Sequence, residues 1–306
     1  MNNPDISVII VNYKTEHELL SCLSSLSKYK PALELETIVV NNSEYNYYFE
    51  KIKTQYPDVT YISNNNSGFS RAINLGVDIS LGTQLIFINP DTLFIEDCIT
   101  PIFNFIKKYQ HAGVCGPMLL NNDMTYQNST GFRMGIFYEI AEAFFFISLF
   151  RIVQKIRYIK KQKVHQNSET SWLSGAFIVV RRSVFEEVGG FDPDYFLNYE
   201  DIDFCLKVKE HGYRNYYFPY LKCLHTGLAS QAKDYEKLVF SRYQSRLIYA
   251  KKHYNYLIRL LVRTIHILGL LLRLCVIFFT FRSLENTQRM KGYRKTLKLY
   301  FKYSIN

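Results

Sequence analysis

The chain has 306 residues, of which 48% are hydrophobic and 16% aromatic, so a mostly disordered polypeptide is excluded and one large domain, or a catalytic domain with an appendage, is affordable. Lys and Arg number 37 against 27 Asp and Glu, a net charge of +10 that directs the protein toward polyanions: nucleic acid, anionic lipid or phosphorylated small molecules. The six cysteines, at positions 22, 98, 115, 205, 223 and 275, have no metal-binding spacing, so reduced thiols without a disulfide are expected, and the polar stretch Met1 to Asp5 lacks the character of a signal peptide.

Ile6 to Val11 is a β-branched apolar run, and Glu16 to Leu26 spaces its leucines helically, which predicts a strand followed by a helix. The unit recurs. Glu36 to Val40 precedes a polar turn and the mixed segment Tyr47 to Gln55; Val59 to Ile62 precedes Gly68 to Leu81; Gln84 to Ile88 ends at Asn89-Pro90-Asp91. Runs apolar on both faces that alternate with helices predict an α/β fold with a mostly parallel sheet covered on both sides. Ligands of such sheets collect beyond the carboxyl ends of the strands.

The middle of the chain differs. Ile136 to Phe150 is rich in Phe and Ile and runs into Arg151, Lys155, Arg157, Lys160, Lys161 and Lys163, a pattern that suits an interfacial amphipathic segment or a flap. The α/β pattern resumes at Trp172, with a strand through Phe177 to Val180, a helix from Ser183 to Val188, a turn at Gly189 to Pro193, and a helix opening near Glu200-Asp201, where acidic residues suit the positive end. Leu257 to Phe281 is strongly apolar but carries Arg259, Arg263, His266 and Arg273. A spanning helix needs about 20 mostly apolar residues and a central Arg is costly, so in-plane membrane attachment is expected. The tail through Lys291, Arg294, Lys295, Lys298 and Lys302 fits attraction to anionic lipid.

Three clusters carry candidate chemistry, and each has an ordinary structural alternative. Asn89-Pro90-Asp91 places a carboxylate at a strand's carboxyl end, where it could hold a divalent ion or simply close a turn. Glu200-Asp201-Ile202-Asp203 gathers three carboxylates, which either cap a helix or supply a proton acceptor. His225, after the strand-like stretch Tyr216 to Leu224, is a metal ligand only if folding brings it to Asp91; otherwise it is a structural hydrogen-bonding residue.

The ordered series Val11-Asn12-Tyr13, Val39 to Ser43, Asn66 to Gly76 and Asn89-Pro90-Asp91-Thr92 resembles the family 2 glycosyltransferases. It continues through Trp172 to Ala176, Gly189 to Asp192, Asn198 to Asp203 and His225-Thr226-Gly227. The likeness covers about Ile6 to His253 and is greatest to bacterial rhamnosyltransferases of O-antigen, capsule or cell-wall polysaccharide assembly. It implies a GT-A catalytic domain over residues 1–253. Residues 1–118 would form the nucleotide-sugar half, and 119–253 the acceptor half, with a basic amphipathic insertion near 136–163. A basic, apolar helical membrane-associating region would follow over 254–306.

By the same resemblance Val11, Asn12, Tyr13, Asn41, Asn66, Gly68, Arg71, Asn89 and Asp91 serve the nucleotide donor, and Trp172, Leu173, Ser174 and Gly175 serve the acceptor. Asp91 and His225 hold a divalent cation, Mg or Mn, and Asp201 is the base with Glu200 beside it. Two residues depart from the family pattern. Asn41 stands where relatives usually carry an Asp that reads the pyrimidine, and Asn89 replaces the first Asp of the metal motif. The implied activity is inverting, metal-dependent transfer of a sugar, with rhamnose from a dTDP donor the favoured case. The acceptor is a lipid-linked or growing glycan, and the place of action is the cytoplasmic face of a membrane, with peripheral attachment. A non-catalytic, membrane-bound nucleotide-sugar-binding or scaffold protein is the alternative. Nucleic acid is not an expected partner, because no nucleic-acid motif accompanies the charge.

Overall fold

A computed structural model describes residues 4–29, 31–43, 47–148, 151–153, 155–156, 160, 165–227, 234–279 and 284–302. Arg157, Lys161 and Lys163 of the expected basic segment lie outside these. The chain forms two compact units: one of Met1–Phe132, Lys155–Phe196 and Glu200–Ser230, the other of Arg133–Gln154, Leu197–Tyr199 and Gln231–Asn306.

The first unit is built on a nine-stranded sheet. Its strands are β1 (Ile6–Asn12), β2 (Leu35–Asn41), β3 (Thr60–Ser63), β4 (Gln84–Ile88), β5 (Thr92–Phe94), β6 (Ala112–Leu120), β8 (Ser168–Thr170), β10 (Phe177–Arg181) and β11 (Arg214–His225). The order is β3-β2-β1-β4-β10-β6-β11-β5, with β8 also on β11. Two short strands, β7 (Thr130–Gly131) and β9 (Trp172–Leu173), pair separately. The helices are α1 (Glu16–Lys28), α2 (Tyr47–Gln55), α3 (Phe69–Ile79), α4 (Ile99–Lys108), α6 (Arg182–Glu187) and α7 (Glu200–Glu210), with α5 (Ile136–Ala143) in the other unit.

Period-two alternation sorts β1 between the two faces. Val8 and Ile10 join Leu19 of α1 and Ile102 of α4, whereas Ile9 joins Ile73 of α3, Val184 of α6 and Phe204 of α7. Both faces are therefore covered by helices, as the continuous apolar runs predict. At Gly76 a Cβ would lie 2.6 Å from Ile9 Cγ2, so this glycine sets how closely α3 approaches the sheet. The strand directions are less uniform than the sequence suggests. Strands β1–β2–β3, β1–β4 and β6–β11 are parallel, but β10 enters antiparallel between β4 and β6, and β5 runs antiparallel to β11. The β10 run of Phe177 to Val180 is apolar on both faces because it is central, and burial pattern alone does not encode direction.

The second unit contains α5 and three C-terminal helices, α8 (Tyr235–His253), α9 (Tyr256–Phe279) and α10 (Leu284–Lys302). The expected boundary after residue 253 falls inside this unit. Its centre is ionic: the fully buried Arg246 guanidinium pairs with Glu139 and Glu142 of α5. Arg273 of α9 donates to the Glu142 carbonyl at 2.6 Å. His266 Nε2 lies 2.8 Å from Glu139, and its Nδ1 lies 2.8 Å from the Tyr300 hydroxyl. Burial acts to raise the Glu139 carboxyl, but Arg246 and His266 override it and bring it down to about 2.

Arg246→Ala removes the cation that the two buried carboxylates share, leaving Glu139 with His266 and Glu142 with Arg242 and Arg273, a loss of about 3–5 kcal/mol for a broken buried pair. Because the Glu139 pKa falls from 4.5 to about 2 on folding, the wild-type contribution is full above 4.5 and disappears as pH falls toward 2. The variant should show a shallower slope, losing less stability on acidification because its glutamates are held less far below their unfolded values. Urea unfolding at several pH values measures this, and a variant as stable as wild type at neutral pH would rule the cluster out as a structural centre.

Candidate active site

The carboxyl ends of β1 and β2 are tied together by asparagines. Asn12 Nδ2 donates to Asn41 Oδ1 at 2.8 Å, Asn41 Oδ1 also accepts from the Ser43 amide at 3.2 Å, and Thr15 Oγ1 donates to Asn12 Oδ1 at 2.9 Å. Both Asn12 and Asn41 are buried. Their amides are therefore occupied in shaping the turn, and the expectation that Asn41 reads a base through its side chain does not match this geometry. Val11 is likewise a core side chain, leaving its backbone for any ligand contact, while Tyr13 is partly exposed.

A second asparagine chain holds the next loop. Asn64 Nδ2 donates to Asn42 Oδ1 at 2.7 Å, and Asn42 Nδ2 donates to the Gly68 carbonyl at 3.2 Å. Gly68 has φ +97°, and a Cβ there would meet Phe196 O at 2.8 Å, so only glycine fits before α3. Asn66 and Arg71 on either side are exposed and open to a ligand.

Asn89, Asp91 and His225 come together. His225 Nε2 lies 3.2 Å from Asp91 Oδ1 and 3.3 Å from Asn89 Nδ2, and Thr226 Oγ1 donates to Asp91 Oδ2 at 3.2 Å. Burial acts to raise the Asp91 carboxyl. The hydrogen bond and charge of His225, with the Thr226 hydroxyl, outweigh it and hold the group below its usual range.

Gln127 is the residue that sequence reasoning missed. Its Nε2 donates to the His225 carbonyl and to Asn121 Oδ1, both at 3.0 Å, which turns its Oε1 toward His225 Nδ1 at 2.7 Å. With Nδ1 donating to Gln127, Nε2 meets the Asp91 oxygen either through a proton of its own, as the charge that lowers Asp91 requires, or, in the neutral ring, with its lone pair. Two acceptors facing each other need a proton or a cation between them, and a carboxylate with an imidazole suits a divalent ion. Among the described residues no group of three or more His, Cys, Asp or Glu gathers as a metal cage. Two protein ligands are what a cation completed by diphosphate oxygens needs.

The acidic cluster opens α7. Asp201 Oδ2 accepts from the Gly175 amide at 2.9 Å and Oδ1 from the Ile202 amide at 2.9 Å. Glu200 is buried with Oε2 unpartnered, and Asp203 Oδ1 accepts from the Tyr195 hydroxyl at 3.1 Å. Burial pushes Glu200 well above the carboxylate range, aided by the charges of Asp201 and Asp203. Asp201 is also raised, because burial exceeds the effect of its amide donors. Helix-start amides alone predict a more acidic group, so this corrects the expectation from position. Asn198 and Tyr199, just before Glu200, have φ of +70° and +71°, a left-handed pair that non-glycine residues adopt only under constraint.

The two clusters meet through Ser174 to Ala176. While Gly175 donates to Asp201, the Ala176 carbonyl accepts from the Asn89 amide at 3.1 Å and from Thr92 Oγ1 at 3.0 Å. Trp172 is partly exposed with Nε1 donating to Phe132 O at 3.1 Å; Ser174 is partly exposed; Leu173 is core, which removes its side chain from any acceptor contact.

A family profile described as "Glycosyl transferase family 2" matches residues 7–189. The chain is similar to the rhamnosyltransferase WbbL of Escherichia coli (strain K12), 25% identical over 72% of this chain and 83% of that one. It is also similar to the N-acetylglucosaminyl-diphospho-decaprenol L-rhamnosyltransferase of Mycobacterium tuberculosis (strain ATCC 25618 / H37Rv), 24% identical over 81% and 85%. Among solved structures, the mannosyltransferase PcManGT from Pyrobaculum calidifontis, in complex with GDP-Man and Mn2+, superposes with a TM-score of 0.54 at 15% identity, covering 98% of this chain and 85% of that one.

Gln127→Leu removes the acceptor that fixes the His225 ring. Loss of such an outer partner typically weakens metal affinity about 10- to 100-fold. Mn2+ titration in the presence of nucleoside diphosphate, followed by the electron spin resonance of the free ion, should show this with the melting temperature preserved. Unchanged affinity would mean that Gln127 does not orient the ligand.

Proposed function

Because the chain belongs to glycosyl transferase family 2, a family of glycosyltransferases with the GT-A fold, we propose that it transfers rhamnose from a dTDP donor with inversion. The acceptor is a lipid-linked or growing glycan of a cell-surface polysaccharide, and the enzyme works peripherally at the cytoplasmic face of a membrane. The observation that supports the reading is the backbone segment of Gly175 and Ala176, which hydrogen-bonds Asp201, the proposed base, on one side and Asn89 of the candidate cation site on the other. The rhamnosyl preference draws on the two bacterial relatives, and the lipid-linked acceptor on the decaprenol-linked substrate in one relative's name.

Asp91 and His225 would hold Mg or Mn, and the ion, when bound, would stabilise the charge of the departing diphosphate. Asn89 adds an amide donor beside them but no charge. The backbone at Val11 and Gly68, with the exposed side chains of Tyr13, Asn66 and Arg71, faces the nucleotide and its phosphates. Asn12 and Asn41 act by shaping that pocket. Trp172, Ser174 and Gly175 face the acceptor.

Asp201 takes the proton of the attacking hydroxyl. Its raised pKa makes it a stronger base than a solvent-exposed Asp while its two amide donors keep it oriented. Glu200 is raised as well, by burial and by the charges of Asp201 and Asp203, so the two acids titrate as a pair beside the proposed acceptor hydroxyl.

Asp201→Asn should lower turnover about 10²- to 10⁴-fold with donor affinity nearly unchanged, and Glu200→Gln should be milder. Since the base must be ionised, wild-type turnover should rise with pH through the raised Asp201 pKa, and that limb should vanish in Asp201→Asn. Near-normal turnover in this variant, or a loss confined to donor binding, would remove Asp201 from the role.

A panel of nucleotide sugars, tested for transfer to a polyprenyl-diphosphate-linked glycan with Mn or Mg and again with chelator, tests the reaction itself. Transfer should be greatest from dTDP-rhamnose and abolished by chelation. Nucleotide binding without turnover of any donor would favour the scaffold reading, and full activity in chelator would reject the metal.

A further inference from the structure

Helix α9 reverses the polarity of a helix that faces water. Every exposed position along it is uncharged, among them Leu257, Leu261, Leu268, Leu271 and Phe278. These recur at intervals of three, four or seven residues and so line one face, over a helix of 24 residues, about 36 Å long. Its cationic side chains, Arg259, Arg263 and Arg273, are all partly buried, and His266 is fully buried. Soluble proteins place these two classes the other way round.

The inner face is fixed to α5. A Cβ at Gly269 would lie 2.9 Å from Ala143 Cβ, so the two backbones approach closely. Arg273 donates to the Ala143 carbonyl at 2.8 Å and stands over the Phe145 ring at 4.7 Å, while His266 meets Glu139. Phe145 and Phe146, just beyond α5, are exposed, as is Phe137, at 78%. In the same unit α10 exposes Lys291, Arg294, Lys295 and Lys298.

We propose that the outer stripe of α9, together with Phe137, Phe145 and Phe146, is one lipid-docking surface that lies flat in a single leaflet of an anionic bilayer. This deepens the peripheral attachment stated above. Length and a hydropathy of 2.1 would allow α9 to cross a membrane. Crossing would set hydrocarbon against His266 and Arg273 and force the Glu139–Arg246–Glu142 cluster either to open or to enter the bilayer. Lying flat keeps that inner stripe against protein. The exposed lysines and arginine of α10 select anionic headgroups and oppose a second copy of this chain, which would bring like charge to the same surface.

The test is flotation of the full chain with vesicles of phosphatidylcholine alone or mixed with phosphatidylglycerol. Wild type should float, more strongly with phosphatidylglycerol, and a tag at the C-terminus should remain open to protease added outside. Leu268→Glu with Leu271→Glu should weaken binding at least about tenfold while melting temperature and nucleotide binding stay at wild-type values. Phe137→Ser with Phe146→Ser should act in the same direction. Cys275, the exposed cysteine on this helix, should react with an impermeant maleimide in lipid-free protein and be shielded on vesicles. The proposal fails if the charged variant floats undiminished, if wild type ignores both vesicles, or if the tag is protected. It also fails if the stripe proves to bury a lipid-free dimer that the charged variant dissociates. Transfer to the polyprenyl-diphosphate-linked glycan dispersed in detergent, measured on the same preparations, separates the two ideas: its absence would reject the proposed reaction and leave the vesicle result standing.

Discussion

The first unit depends on one short backbone segment whose two polar groups point to different neighbours. The Gly175 amide reaches Asp201 at the start of α7, and the Ala176 carbonyl reaches Asn89 at the end of β4. This is possible because β10 runs antiparallel to β4, so the residues just before Phe177 emerge beside the carboxyl end of the parallel strands. A parallel β10 would put them at the opposite edge. A hydrogen bond to an ionised carboxylate is about twice as strong as a neutral one, so Gly175 positions Asp201 as well as satisfying it. A Cβ at Gly175 would stand 3.5 Å from Asp201 Cβ, ordinary contact, so the loop's geometry matters more there than the absence of a side chain.

From that arrangement follows a sorting of carboxylates by environment. Asp91 sits among His225 and Thr226 and is held ionised, as a group facing a cation should be. Glu200 is buried and Asp201 half-buried beside it, with no cationic partner in hydrogen-bond contact among the described residues, and both are raised. The surroundings thus hold one carboxyl of this unit low and two high, the contrast on which the proposed division between cation binding and proton transfer rests.

Much of this was legible in the sequence, and the remainder has identifiable physical reasons. The β1 to β4 strands and the helices between them follow from local periodicity, and the ordered motifs drew attention to Asp91 and His225, which the fold brings within 3.2 Å of each other. Gln127 was not legible: it lies in an irregular segment and meets His225 across 98 residues, so no periodicity marks it. The fates of Val11, Asn41 and Leu173 were hidden for another reason. A motif says that a residue matters, but not whether its side chain touches a ligand or supports the backbone that does. Arg246 was hidden in a helix whose polar residues look solvated, because its partners Glu139 and Glu142 come from a segment that reads as apolar.

Partnership separates the two kinds of buried acid in this chain. In the second unit Glu139 and Glu142 are each paired with Arg246, their carboxyls are held low, and the ions are locked in a geometry that joins α5 to α8 and α9. Such a cluster resists protonation and is suited to holding structure. In the first unit Glu200 leaves an oxygen unpartnered and Asp201 has amide donors in place of a guanidinium. Keeping acids in that condition costs stability, since burial disfavours their charged forms and the amide donors of Asp201 offset it only in part. A strained left-handed pair at Asn198 and Tyr199 precedes them and adds to that cost. Structure alone would be better served by a pair like Glu139 with Arg246, so the unpaired acids are the ones to associate with proton transfer.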